Sequence, residues 1–259
     1  MTEPHVATSG LHVRGVDPFG ALWAGHVRGM EKVKVTGMLG GCEALTEDTR
    51  EVVLPRESMT YFADELAARK PTPGGGGAAA YVGALGAALA SMAGHFTLGK
   101  PRYADVEDDV RRLLGEAEEV RCALLDLVDD DARAFQRVTS ALSIPRGNPR
   151  RAGALEAATR GACEPPLTMM DCTTEVIGIL EELHHKCSRL LLTDVGCAAV
   201  LCSASLRAAS LNVYVNTRSL SDRAAARELD GRCDALLAKW VGRADVLAEG
   251  ITADVRGES

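Results

Sequence analysis

Between Gly74 and Gly99 the chain carries no formal charge apart from a protonatable His95, and it is built largely from Gly, Ala and Ser. Few folds accept such a run. Its length admits a membrane span, yet side chains this small gain little from transfer into lipid, and no second span is expected to follow. A buried central helix suits it better. Gly83, Ala87 and Ser91 recur at spacing four, with Gly86, Ala90 and Gly94 beside them. Two such stripes let neighbouring backbones approach closely on several sides.

The flanking sequence is consistent with that reading. Aromatic residues make up only 4 % of the chain and hydrophobic residues 46 %, so the core is poor in rings and rich in Ala, Leu and Val. Ser58 is placed to cap a helix running to Arg69, and the loop PTPGGGG spans residues 71–77 before the small-residue helix, about 78–98. Asp105 is expected to cap a long helix over 106–142. Pro149 suits the start of the next, over 150–164, and Pro165-Pro166 is expected to interrupt the helical pattern before it resumes to 186. Thr193 is expected to cap 194–210 and Ser221 to cap 222–249. LNVYVN (211–216) alternates, as an extended turn or a tight helix end. No βαβ alternation is visible, so the fold class is all-α, a helical bundle around the small-residue helix. The domain organisation expected is an N-terminal extension of unknown role over 1–55, Gly-rich and weakly periodic, and one helical domain over 56–259.

The formal net charge of −7 removes any general attraction for nucleic acid or anionic membrane surfaces. The eight cysteines include no CxxC pair, and the first 30 residues lack a continuous apolar stretch of the secretory kind. Reduced thiols in the cytoplasm are the expectation. His184-His185-Lys186-Cys187 lacks a second ligand pair at metal-binding spacing, so no metal site is expected.

LVDDDARAF (127–135) places three carboxylates in a row. Successive helical residues differ by about 100°. Asp131 lies three after Val128, seven after Leu124 and four before Phe135, in the middle of the apolar stripe. Asp129 and Asp130 turn toward the polar side. A carboxylate aimed at a core must be paired, protonated or open to a ligand cavity. Desolvation raises its pKa toward the range useful for general acid–base work. A sealed helix-to-helix ion pair and an acid–base group both satisfy the pattern.

Three ordered segments carry a family resemblance. PTPGGGGAAAYVGALGAALASMAGHFTLGKPRY (71–103), LVDDDARAF and TDVGCAAVLCSASLRAASLNVYVNTRSLSD (193–222) together resemble the cyclodeaminase/cyclohydrolase family. That family includes the C-terminal domain of formiminotransferase-cyclodeaminase and stand-alone bacterial folate enzymes, and the likeness covers about 56–250. It implies an all-helical homodimer acting on a tetrahydrofolate one-carbon adduct, possibly polyglutamylated, with no permanently bound cofactor. The family's catalytic aspartate falls on Asp131. Substrate-binding positions carry over to Gly74, Gly75, Gly76, Lys100, Asp194, Asn212 and Asn216. Each also has a structural reading: a tight turn for the glycines, a dipole-compensating cation for Lys100, a first-turn acid for Asp194, and turn-fixing hydrogen bonds for the asparagines. Arg146, Arg150 and Arg151 form a basic patch, either a solvated loop face or a contact for a polyglutamate tail.

The chain departs from the family at Gly77, where Ser is usual, and in CSRLLLTD (187–194), where Leu190 stands at a position commonly Asn. The retained aspartate tilts the expected activity to formimidoyltetrahydrofolate cyclodeaminase, with methenyltetrahydrofolate cyclohydrolase as the alternative. A non-catalytic folate-binding helical dimer is the reading of another class.

Overall fold

The uncharged run becomes the central helix of a bundle. The structure, a computed structural model, describes residues 58–258. The expected extension over 1–55 lies outside the described residues. The helices are α1 (Met59–Ala67), α2 (Gly75–His95), α3 (Glu107–Ser143), α4 (Arg151–Gly161), α5 (Glu164–Lys186), α6 (Leu192–Ser219) and α7 (Arg223–Arg256). Short 3-10 turns, Pro101–Val106 and Arg189–Leu191, precede α3 and α6, and no strand occurs among the described residues. The described residues are all-α, as the pattern predicts.

Helix α2 packs against α3, α5 and α6, and α7 covers α6 and α5. Small side chains make this possible. A Cβ added to Gly86 would sit 2.7 Å from the Cys202 sulfur, and one on Gly94 2.8 Å from Leu114. The bulk that α2 lacks comes from its neighbours: Leu113, Leu124, Met169, Ile177, Leu180 and Leu206 are fully buried around it. Each such side chain contributes about 1.5–3 kcal/mol relative to exposure. A buried hydroxyl relay joins three helices, with Ser205 donating to the Ala79 carbonyl at 2.8 Å and lying 3.2 Å from the Thr173 hydroxyl.

Helix α2 runs antiparallel to both α3 and α6. Along it Gly76, Gly83 and Gly94 meet Asp131, Leu124 and Leu114 of α3, while Gly75, Gly83 and Gly86 meet Asn212, Ser205 and Cys202 of α6. Two helices, Gly75–His95 and the stretch Arg189–Ser219, have the length and composition of a membrane span, so the expectation of no second such segment fails. In an apolar 18-residue window of each, 56 % and 50 % is buried inside the protein.

Several element boundaries differ from expectation. Helix α2 starts at Gly75, so three glycines of the expected loop are helical. Ser58 does cap α1, accepting from the Tyr61 N–H at 3.1 Å. Neither Asp105 nor Thr193 caps a helix, because a 3-10 turn feeds each of those starts. At α7 the cap is Asp222, which accepts from the Ala224 and Ala225 N–H groups at 3.0 Å, rather than Ser221. Pro165 and Pro166 occupy the first turn of α5, where a missing N–H costs nothing, so they begin a helix instead of breaking one. LNVYVN is helical throughout. Val213 and Thr217 extend the buried stripe of Leu206 and Ala209, and that burial outweighs the extended preference of β-branched residues.

Candidate functional site

Asp130 and Asp131 point apart, as helix geometry requires. Asp130 pairs with Arg133 at 2.5 Å. Asp131 is directed at the first turn of α2, and a Cβ built on Gly76 would lie 2.5 Å from its carboxyl carbon. Only a residue without a side chain allows that approach. The Gly77 N–H donates to the Asp131 carboxylate. Burial pushes the Asp131 pKa up to about 6, and the Gly77 hydrogen bond offsets only part of that shift. No cation among the described residues contributes, and Asp131 remains partly open to solvent. Of the two arrangements the sequence left open, the structure contains the unpaired one.

Asn212 faces the same turn. A Cβ on Gly75 would sit 3.7 Å from its Nδ2 and 3.8 Å from its Oδ1. The Nδ2 donates to the Ala208 carbonyl one turn back at 3.0 Å, so the side-chain oxygen is the atom left to accept from a ligand. A Cβ on Gly74 would meet nothing within 4 Å, so the loop entering α2 borders open space. The N–H groups of Gly75 and Gly76 have no partner within their own helix, and the helix dipole makes this end positive. The assembly therefore holds one carboxyl group able to take up and release a proton near neutral pH, a polar acceptor, and backbone donors at a helix start.

Asp131, Gly74, Gly75, Gly76 and Asn212 thus gather at one end of the bundle. Lys100 and Asp194 do not join them. They lie beyond the other end of α2, a helix of 21 residues and hence about 30 Å long. There Lys100 approaches the Ser188 hydroxyl at 3.5 Å. Ser188 is itself fixed by donation of its N–H to Thr97 at 2.8 Å. The altered loop exposes Leu190, 83 % accessible, at this same end. Asn216 bonds the Ala162 carbonyl at 2.8 Å and so ties α6 to the turn between α4 and α5. Arg151 donates to the carbonyls of Leu142 and Ile144 and closes the C-terminus of α3, whereas Arg146 and Arg150 are exposed.

Gly77 is a contributor that sequence reading passed over. It registered only as a departure from Ser, while its backbone N–H does the work. Three residues beyond Gly74, it occupies the helical position whose N–H commonly donates to a side-chain oxygen outside the helix. At the end of α5, the His184 and His185 rings meet edge to face at 4.7 Å, and Lys186 pairs with Asp109 and Glu182. No group of three metal-ligating side chains assembles among the described residues.

Comparison with known proteins follows the same lines. Residues 58–235 match the family described as formiminotransferase-cyclodeaminase. A methenyltetrahydrofolate cyclohydrolase from Methylorubrum extorquens is 40 % identical over 187 residues, covering 71 % of this chain and 90 % of that protein. The formimidoyltransferase-cyclodeaminase of Mus musculus is 35 % identical over 184 residues, 70 % of this chain but 34 % of that longer protein. The crystal structure of formiminotetrahydrofolate cyclodeaminase from Thermotoga maritima superposes with a TM-score of 0.68 at 32 % identity, covering 76 % of this chain and 98 % of that one.

Proposed function

The chain belongs to the formiminotransferase-cyclodeaminase family, and from that premise we propose that it is a folate one-carbon enzyme, a methenyltetrahydrofolate cyclohydrolase with Asp131 as its acid–base group. The observation that carries this reading is the unpaired, partly open carboxyl of Asp131, with its pKa raised to about 6, against the start of α2. The 40 % identity with a relative of that activity, over 90 % of its length, supports the choice of reaction. Water adds to the cationic carbon bridging N5 and N10 of the substrate, and Asp131 takes a proton from it. The C–N5 bond then breaks as Asp131 returns a proton to N5, the hydroxyl proton leaves to solvent, and 10-formyl-tetrahydrofolate is released. Asn212 and the N–H groups of Gly75 and Gly76 orient the ring system. The cationic substrate lowers the Asp131 pKa on binding and so favours its base form.

The second reading is formimidoyltetrahydrofolate cyclodeaminase, favoured by the likeness to the Thermotoga maritima structure. There N10 attacks the formimidoyl carbon, Asp131 takes the N10 proton, and the same acid protonates the departing ammonia. Asp131 serves both reactions, so its presence alone does not choose between them.

The domain proposed to carry this activity is 56–259. It needs no permanently bound cofactor, and the tetrahydrofolate adduct is its substrate. The free thiols of the described cysteines agree with a cytoplasmic setting. A homodimer is the proposed active unit, because Lys100 and Asp194 reach a substrate at Asp131 only from a second copy. The test is to supply the purified protein with 5,10-methenyl- and 5-formimidoyl-tetrahydrofolate separately. Accelerated loss of the methenyl absorbance identifies the cyclohydrolase, and ammonia release from the second compound identifies the cyclodeaminase. A folded protein that accelerates neither excludes both.

A further inference from the structure

Asp131 meets the first turn of α2 through one hydrogen bond, accepted from the Gly77 N–H. A single bond leaves that turn free to pivot about it. The side of Gly77 from which a side chain would project is closed on two flanks. A Cβ built there would lie 3.5 Å from Val128 Cγ1 and 3.5 Å from Pro73 Cβ, with the Val128 carbonyl oxygen at 3.9 Å. These are ordinary contact distances, so the two side chains bound a space about one methyl group wide. Pro73 belongs to the loop entering α2, whereas Val128 stands on α3 three residues before Asp131 and on the same face. Val128 is fully buried, so its place is set by the core rather than by the loop. Helix α3 therefore faces the start of α2 at two points one turn apart, a polar one at Asp131 and an apolar one at Val128. No charged group competes for the carboxyl. From α2 it meets Gly76 and Gly77, from α6 the neutral Asn212 lies at the same turn, and on its own helix Asp130 is turned away to Arg133. Among the described residues only burial and the Gly77 bond move its titration.

We propose that Val128 is a positioning residue for Asp131, seating the first turn of α2 so that the Gly77 N–H stays on the carboxyl. This role rests on the folate reading and adds to that site a side chain that meets neither substrate nor proton. Without the γ-carbons of Val128 the turn is free to tilt. The Gly77 bond then lengthens, and the ionised carboxyl loses the donor that favours it. The acid ionises at higher pH as a result.

The experiment compares wild type with Val128→Ala, Val128→Ile and, as a control, Val120→Ala, a buried valine of the same helix about 16 Å from Asp131. Turnover of 5,10-methenyl-tetrahydrofolate is followed along the acid limb of kcat/KM. Val128→Ala should move that limb up by about half a pH unit, so that the ratio of kcat/KM at pH 8 to that at pH 6 about doubles. Val128→Ile keeps both γ-carbons and should stay at wild type. Val120→Ala should melt lower, as Val128→Ala does, with its limb unmoved. Carbon-13 NMR titration of the Asp131 carboxyl reads the same shift without substrate. In wild type the Val128 methyl groups should show NOE contacts to the Gly77 α-protons, a measurement independent of how any variant folds. An unmoved limb and titration in folded Val128→Ala, an equal shift in Val120→Ala, or no such NOE overturns the inference. If wild type turns over neither folate compound, the functional reading falls, and the NMR titration still decides the seating by Val128.

Discussion

Asp131 combines the proposed acid–base role with a cost to stability. Its folded pKa of about 6 lies above the ordinary value of 3.8, so between those values the native state binds more protons than the unfolded chain. Its contribution to stability is present below pH 4 and is lost as pH rises through 6. The full penalty, up to about 3 kcal/mol, applies above that. Asp131→Asn keeps an oxygen for the Gly77 N–H and removes the buried charge. The variant should therefore melt higher than wild type at pH 7.5, match it more closely near pH 4, and lose on the order of 10²–10⁴ in kcat. Thermal melts at both pH values with turnover at the upper one check this, and a variant that is less stable at pH 7.5 contradicts the assigned burial. The glycines give a matched pair. Gly76→Ala drives a methyl group into the Asp131 carboxyl, whereas Gly75→Ala makes only ordinary contact with Asn212. Gly76→Ala should lose activity by more than tenfold, and Gly75→Ala should fold and melt like wild type; equal activity in the two would refute the close approach at Gly76.

At the scale of elements, Asn216 separates a binding role from a structural one. Its bond to the Ala162 carbonyl joins α6 to the α4–α5 turn. Asn216→Ala should cost about 1–2 kcal/mol through the unsatisfied carbonyl, lowering Tm by a few degrees while KM stays within twofold. A large rise in KM at unchanged Tm would assign it to the substrate instead. The long helices and the inward turn of Asp131 were legible in the sequence because apolar periodicity reports burial directly. Helix starts were less so. A capping residue and a Pro-Pro pair are local signals, and 3-10 turns before α3 and α6, or a proline accommodated in a first turn, change their meaning. LNVYVN misled for a related reason: alternation over six residues is too short to oppose the burial of Val213 and Thr217. The distance between Lys100 and Asp131 was hidden because motif order along a chain says nothing of which end of a bundle each motif occupies.

At the scale of the whole molecule, two neighbouring helices carry apolar residues that are exposed among the described residues. Leu85 on α2 and Phe96 just beyond its end are 39 % and 58 % accessible, and Val200 and Leu211 on α6 are 57 % and 68 % accessible. An isologous pairing of these faces with α2 antiparallel to its mate would carry the Lys100 end of one copy to the Asp131 end of the other. Leu85→Glu with Val200→Glu should then sediment as a monomer and be inactive. Mixing refolded Asp131→Asn chains with Lys100→Ala chains should restore about a quarter of wild-type activity, since half the dimers are mixed and each of those has one intact site. A monomeric wild type, or no restoration on mixing, excludes the shared site.

The start of α2 has no side chain of its own to hold it, because Gly74 has none to offer. The group that accepts from Gly77 belongs to α3, so Asp131 acts as an N-cap lent from another helix. In the proposed mechanism catalyst and cap are one carboxyl group, and each proton it takes up during turnover weakens its hold on the first turn of α2. The helix end proposed to orient the substrate is then firmest when the acid is ionised and ready to act as base, and loosest when it carries the proton it must give away.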